Sequence, residues 1–219
     1  MENRITPLEY KEFTAATKER RIEWFRDARF GMFIHYGLFS SHGLGEWAQV
    51  WENIKISDYE KLASDFCPRE GCTDEWCRLA KDMGAKYAVL TTKHHEGFCL
   101  FDSQFTDYKS TNTAYGKDIV REFVDAFRAE GLKIGFYYSL LDWRFPGYFE
   151  PKKFPESKEA LVERIHNQVR ELMTNYGEIS VLEYDGGWMA DLSGTKEERV
   201  DFWKARELNA MVRELQPGI

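Results

Sequence analysis

Four stretches of this chain place reactive side chains directly after an apolar run. Ala85-Lys-Tyr-Ala-Val-Leu-Thr-Thr-Lys-His-His-Glu-Gly-Phe98 ends in two adjacent histidines, a carboxylate and a glycine. Phe30-Gly-Met-Phe-Ile-His-Tyr-Gly37 ends in His35, Lys133-Ile-Gly-Phe-Tyr-Tyr-Ser139 in hydroxyls, and Ile179-Ser-Val-Leu-Glu-Tyr-Asp-Gly186 in Asp185. A carboxylate such as Asp185 can act as a nucleophile or base. Imidazoles can donate or accept hydrogen bonds or bind metal, and hydroxyls can orient either. Four apolar runs that each carry their polar groups at the C-terminal end match the way parallel α/β barrels build active sites.

The segments between these runs supply the elements that position them. Glu9 to Asp27 is charged and amphipathic, with Phe13, Ile22, Trp24 and Phe25 on it, and predicts a helix under the barrel floor. A long loop, Leu38 to Ile56, follows the first strand and carries Trp47 and Trp51; loops of that length inside a compact domain are usually functional. Ser57 predicts an N-cap for a helix to Phe66, with Glu60 at the capping-box position, and Thr73 one for a helix to Met83 closed by Gly84. Helices are predicted at Asp118–Glu130, Ser157–Tyr176 and Lys196–Gln216, with aromatic loops at 98–115 and 143–154. Alternating strands and helices imply βαβ units and a parallel sheet. The expected fold is therefore α/β, a partial TIM-type (β/α) barrel of four to five parallel strands, about half of an eight-stranded barrel. Residues 1–29 form an N-terminal helical segment and residues 30–219 the incomplete barrel, with a stub of a fifth strand after Pro217.

Composition narrows the function classes. The 219 residues carry a net charge of −7 and no basic stripe, which argues against nucleic acid. No run is long enough to span a bilayer, and Met1 to Leu8 has no signal-peptide core, so a cytoplasmic location is expected, a removed secretory signal remaining open. Four cysteines (Cys67, Cys72, Cys77, Cys99) form no Cys-x-x-Cys pair, so reduced structural thiols are expected, with a Cys72–Cys77 disulfide as the minor alternative. Aromatics reach 16% with seven Trp, an unusually rich share.

Several segments together resemble the retaining α-L-fucosidase family of glycoside hydrolases. They are Trp24-Phe-Arg-Asp-Ala-Arg-Phe-Gly-Met-Phe-Ile-His-Tyr-Gly37, Gly45-Glu-Trp47, Gly84 to Phe98 with its Lys-His-His-Glu-Gly-Phe run, Gly135-Phe-Tyr-Tyr-Ser-Leu-Leu-Asp-Trp143 and Tyr184-Asp-Gly-Gly-Trp188. The resemblance covers the chain from Trp24 onward and corresponds to the first half of the family's catalytic barrel. It implies hydrolysis of terminal α-L-fucosides with retention, Asp185 being the nucleophile that forms a covalent glycosyl-enzyme. It also implies a sugar shell of His35, Glu46, Trp47, His94, His95 and Tyr137, and no cofactor. Trp188 and Trp143 are candidates to line the mouth, whereas Trp51 is expected to anchor the loop and Tyr138 to pack against a helix.

Two departures from the family pattern matter. The family usually places a tryptophan two residues before the nucleophile, where this chain has Glu183. Strand alternation puts Glu183 and Asp185 on one face, so Glu183 would tune the site or donate a proton, unless it pairs with a cation such as Lys133. The family's acid/base lies in the second half of the barrel. Glu46, Glu96 and Glu183 are the candidates within this chain, with Glu46 preferred because its loop can reach over the mouth. A half barrel exposes strand edges and apolar surface, which predicts a homo-oligomer, a dimer first, or a complementary half-barrel chain. The remaining partner is a fucosylated glycan or small fucoside.

Two other readings stay open. One is a non-catalytic fucose-binding module or degenerate fucosidase lacking the acid/base. The other is a metal-dependent hydrolase using His35, His94 and His95 as zinc ligands. If the strand continued through them, alternation would aim His94 and His95 at opposite faces, which favours separate contacts to sugar hydroxyls over shared ligation.

Overall fold

A computed structural model describes residues 7–188 and 195–219; the first six residues of the N-terminal segment lie outside the described residues. Helix α1 (Pro7–Ala28) leads into strand β1 (Met32–Ile34). Four one-turn helices follow: α2 (Phe39–His42), α3 (Ala48–Trp51), α4 (Ile56–Tyr59) and α5 (Leu62–Asp65). The regular alternation then sets in with α6 (Cys72–Asp82), β2 (Tyr87–Lys93), α7 (Ile119–Ala129) and β3 (Lys133–Ser139). It continues through α8 (Pro146–Phe149), α9 (Pro155–Asn175), β4 (Val181–Asp185), α10 (Lys196–Phe202) and α11 (Ala205–Leu215).

The four strands form one parallel sheet in the order β1-β2-β3-β4, each pair joined by a helical crossover, as the sequence predicts. Side chains alternate across it. Leu90, Phe136 and Tyr138 turn to the helices, where Val120, Phe123, Phe127, Val169 and Leu172 bury them in the main core. The opposite side is the one a complete barrel would enclose. There Phe33 of β1 is 46% exposed and Glu183 of β4 is exposed, whereas Val89, Thr91 and Tyr137 of the central strands are buried, so this side is open at the two outer strands. Trp24 and Phe25 of α1 pack on Tyr87, the first residue of β2, and the Lys133 ammonium lies over Trp24. The N-terminal helix thus seals the floor as expected.

Helix α7 keeps its predicted apolar face, and its start is fixed by Asp118, which accepts the Arg121 N–H at 2.8 Å. Elsewhere local signals lose to packing. Ser57 sits inside the first turn of α4 with Lys55 at the cap, and Thr73 lies buried inside α6, which starts after Gly71 in the left-handed region at φ 74°. Helix α9 begins two residues early because Pro155 occupies its first turn. The helix expected at Lys196–Gln216 is two helices. Trp203 packs on Phe202, its indole N–H donates to the Gly187 carbonyl at 3.1 Å, and Lys204 turns left-handed at φ 46° beside it. No fifth strand forms at the C-terminus, where the Ile219 carbonyl instead accepts from Arg21 of α1 at 2.7 Å. All four cysteines are free, so Cys72 and Cys77 are not bridged.

Candidate active site

The C-terminal ends of the four strands converge on one mouth. Asp185 closes β4 opposite Ser139 of β3. One of its carboxylate oxygens, Oδ2, accepts the Tyr137 hydroxyl at 2.6 Å, and the other accepts the Gly186 N–H at 2.6 Å. Two donors to one carboxylate hold it in a single orientation. Its side chain keeps 35% exposure, so it remains open to a ligand. Burial and the adjoining Asp185 push the Tyr137 phenol well above its ordinary value, which keeps it a donor.

The histidines reach the mouth through an irregularity. Between Thr91 and Lys93 the pairing of β2 with β3 slips, so that Thr91 faces Tyr137 while Lys93 faces Tyr138. This bulge re-aims the strand, which then ends at Lys93. His94 and His95 therefore escape alternation: their rings lie 4.0 Å apart, both beside the site. His94 Nδ1 faces Glu96 Oε2 at 3.2 Å, His95 Nδ1 faces Ser139 Oγ at 2.6 Å, and His95 Nε2 lies 3.7 Å from Asp185 Oδ2. His35, at the end of β1, meets His94 edge-on at 5.0 Å and holds Thr91 Oγ1 through Nδ1 at 3.1 Å. Among the described residues no group of three His, Cys, Asp or Glu side chains has a metal-holding arrangement.

Aromatic rings wall the same space. Trp47 packs on His95 at 5.0 Å, on Trp143 at 5.4 Å and on Trp188 at 6.5 Å. Trp51 behaves otherwise than expected: at 73% exposure it anchors nothing and only stacks on Trp47. Tyr138 is on the helix side, donating to Gln168 of α9 at 2.7 Å. Glu46 is partly buried in the same loop as Trp47, near enough to His35 for its charge to act on that imidazole. Glu96 is removed as a mouth carboxylate because it is buried against His94. Glu183 stands on the Asp185 face without a Lys133 pairing, the Lys133 ammonium lying over Trp24, and partial loss of hydration of its carboxyl with the Asp185 charge raises it, although the residue as a whole stays exposed. The residues missed at the sequence level are the supports, Ser139 for His95 and Thr91 for His35. Strand parity alone would have paired Thr91 with the mouth.

Burial, reinforced by His94, Lys93 and His35, lowers the His95 imidazole from its ordinary value to about 2. The unfolded chain therefore binds a proton, below about pH 6.5, that the folded chain does not. The stability this residue contributes is full above that pH and falls as the pH drops toward the folded value, by up to about 1.4 kcal/mol per pH unit. The denaturation midpoint is expected to fall between pH 7 and 5, with a shallower fall in His95→Gln. Equal slopes for the two proteins, followed by fluorescence in urea, would refute this.

The alpha-L-fucosidase family model matches residues 1–219. An alpha-L-fucosidase of Dictyostelium discoideum is 32% identical over 84% of this chain and 44% of its own length. The structure of alpha-L-fucosidase isoenzyme 1 from Paenibacillus thiaminolyticus superposes with a TM-score of 0.82 at 47% identity, over 93% of this chain and 50% of that one. An alpha-L-fucosidase from Bacteroides thetaiotaomicron, trapped as a covalent intermediate with 2-fluoro-fucosyl fluoride, superposes at 0.81 with 34% identity, over 91% of this chain and 47% of that one. This chain thus spans about half the length of these relatives. By a match that runs over residues 1–219, the chain belongs to the alpha-L-fucosidase family.

Proposed function

We propose that this chain carries the nucleophile half of an α-L-fucoside hydrolase that retains configuration. The observation that carries the reading is Asp185, exposed at the strand ends, fixed by Tyr137 and Gly186, and faced by His95. In this reading a free lone pair of the Asp185 carboxylate attacks the anomeric carbon. The bond to the leaving oxygen breaks as that oxygen takes a proton from an acid, and a glycosyl–Asp185 ester forms. Water then attacks the same carbon, a base takes its proton, and Asp185 leaves as the carboxylate. His35, His94, His95, Glu46 and Tyr137 would hold the sugar hydroxyls, and Trp47 and Trp188 would cover its apolar side. A neutral His95 suits this role, because a cation there would oppose the positive charge that develops on the ring carbon. The test is release of the aryl group from an aryl α-L-fucoside, with the anomer formed first read by NMR. A first-formed β-anomer would overturn retention.

For the proton donor we infer Glu46 before Glu183. Glu46 rides the Trp47 loop over the mouth, whereas Glu183 lies one pleat deeper on the barrel side and suits a tuning role. A reactive aryl group departs with little protonation, so Glu46→Gln should slow an alkyl or sugar aglycone by about 10²–10⁴-fold and an aryl fucoside far less. Equal losses with both leaving groups would remove Glu46 from this role. An unchanged pH profile in Glu183→Gln would end the tuning role.

The open barrel face supports a third inference. Phe33 is 46% exposed there, and the outer edges of β1 and β4 are unpaired among the described residues. Exposed parallel edges and apolar surface favour association. The chain alone in solution is expected to pair two copies across this face, observable as a dimer by sedimentation velocity; a sharp monomer at all concentrations would contradict it.

A further inference from the structure

The surroundings of His95 decide where its single ring proton sits. Ser139 Oγ, fully buried, has three neighbours: it accepts the Leu141 N–H at 3.0 Å, and it lies 2.6 Å from His95 Nδ1 and 3.2 Å from the Leu141 carbonyl. A hydroxyl has one proton to give. The Leu141 carbonyl already receives the buried Lys93 ammonium at 2.7 Å and lies farther off than the nitrogen, so the Ser139 proton goes to Nδ1 unless Nδ1 carries a proton of its own. The surroundings of the other ring nitrogen decide that. Nε2 is buried without a hydrogen-bond partner, 3.7 Å from the Asp185 carboxylate oxygen. A bare nitrogen there would oppose lone pair to lone pair, whereas N–H faces the anion favourably.

We propose that Ser139 is a positioning residue that locks His95 as the Nε2–H tautomer, so that the ring offers a donor to a sugar hydroxyl beside Asp185. The adjacent ring is set the opposite way. A carboxylate oxygen of Glu96 can only accept, so a neutral His94 ring carries its proton on Nδ1 and leaves Nε2 as an acceptor. The His94–His95 pair thus presents one acceptor and one donor side by side, a match for two neighbouring hydroxyls of one sugar ring. That is a selection by hydroxyl arrangement that two identical tautomers could not make. The identity of the bound sugar rests on the fucosidase reading; the tautomer does not.

The experiment is long-range ¹H–¹⁵N correlation NMR of the full chain labelled with ¹⁵N-histidine, at neutral pH, with the His95 signals identified by their loss in His95→Gln. The wild-type chain is expected to show a protonated Nε2 and a bare Nδ1 at His95. In Ser139→Ala the pattern should move toward the Nδ1–H form, and Ser139→Thr, which keeps a hydroxyl, should restore it. An Nδ1–H form in the wild-type chain would overturn the tautomer, and an unchanged pattern in a folded Ser139→Ala would overturn the positioning role of Ser139. The wild-type spectrum needs neither a variant nor turnover. It therefore decides the tautomer if Ser139→Ala fails to fold, and separately from whether the chain hydrolyses fucosides.

Discussion

Asp185→Asn is expected to lower release of the aryl group from an aryl α-L-fucoside roughly 10⁴-fold, the scale on which removing a nucleophile or its partner acts in enzymes that work through covalent intermediates. The amide is nearly isosteric: its oxygen can accept the Gly186 N–H while its NH2 donates to the Tyr137 hydroxyl oxygen, so the fold should be kept and the loss confined to chemistry. The aryl substrate is chosen because its leaving group barely needs the acid, which makes the measurement report the nucleophile. A companion variant, Asp185→Gly, leaves a gap that azide can enter. Azide attacking the anomeric carbon as the aryl oxide departs would give the β-L-fucosyl azide, inverted because a single displacement replaces two. Turnover that survives Asp185→Asn unchanged would remove Asp185 as nucleophile. A folded chain that turns over neither before nor after substitution, yet binds L-fucose, would favour the binding-module reading.

Gly97→Ala is expected to be a severely damaging small change near the site, costing about 3–5 kcal/mol through the disruption of a buried ion pair. Two effects combine. Gly97 has φ 83°, a left-handed conformation that costs an L-residue roughly 1–2 kcal/mol. A Cβ there would also lie 2.5 Å from the Asp142 carboxylate. That carboxylate cannot simply retreat: it is 1% exposed, accepts the Arg144 backbone N–H at 3.0 Å and holds the Arg144 guanidinium at 3.1 and 3.2 Å. Displacing it leaves a largely buried Arg144 with only the longer contact to Glu60 at 3.6 Å. The disturbance reaches chemistry because Trp143, next in the chain, donates its backbone N–H to the His95 carbonyl at 2.9 Å. The drop in denaturation midpoint and the loss of aryl-fucoside turnover should therefore appear together. A midpoint within about 0.5 kcal/mol of wild type, the range of an ordinary surface change, would refute the argument.

These two residues also mark how much of the protein could be read before folding it. The place of Asp185 at a strand end was legible because a carboxylate after an apolar run and before two glycines has few places to go in a parallel sheet. The same holds for the strand order, for α7 with its five apolar positions and Asp118 cap, and for the Trp47 loop over the mouth. Periods and caps are short-range physics, written residue by residue. What local signals could not supply was anything decided between elements. Ser57 and Thr73 are good caps by type, yet burial of Tyr59 and the packing of α6 set the helix starts. Strand alternation separates His94 from His95, but a slip against β3 brought their rings to 4.0 Å, and only the partner strand could produce that slip. Ser139 and Glu96, which fix the two rings, become partners only through contacts that a linear reading does not contain. The sequence by itself determined which groups stand at the strand ends. The tertiary structure decided which way each one points, because hydrogen-bond direction depends on neighbours supplied by other parts of the chain.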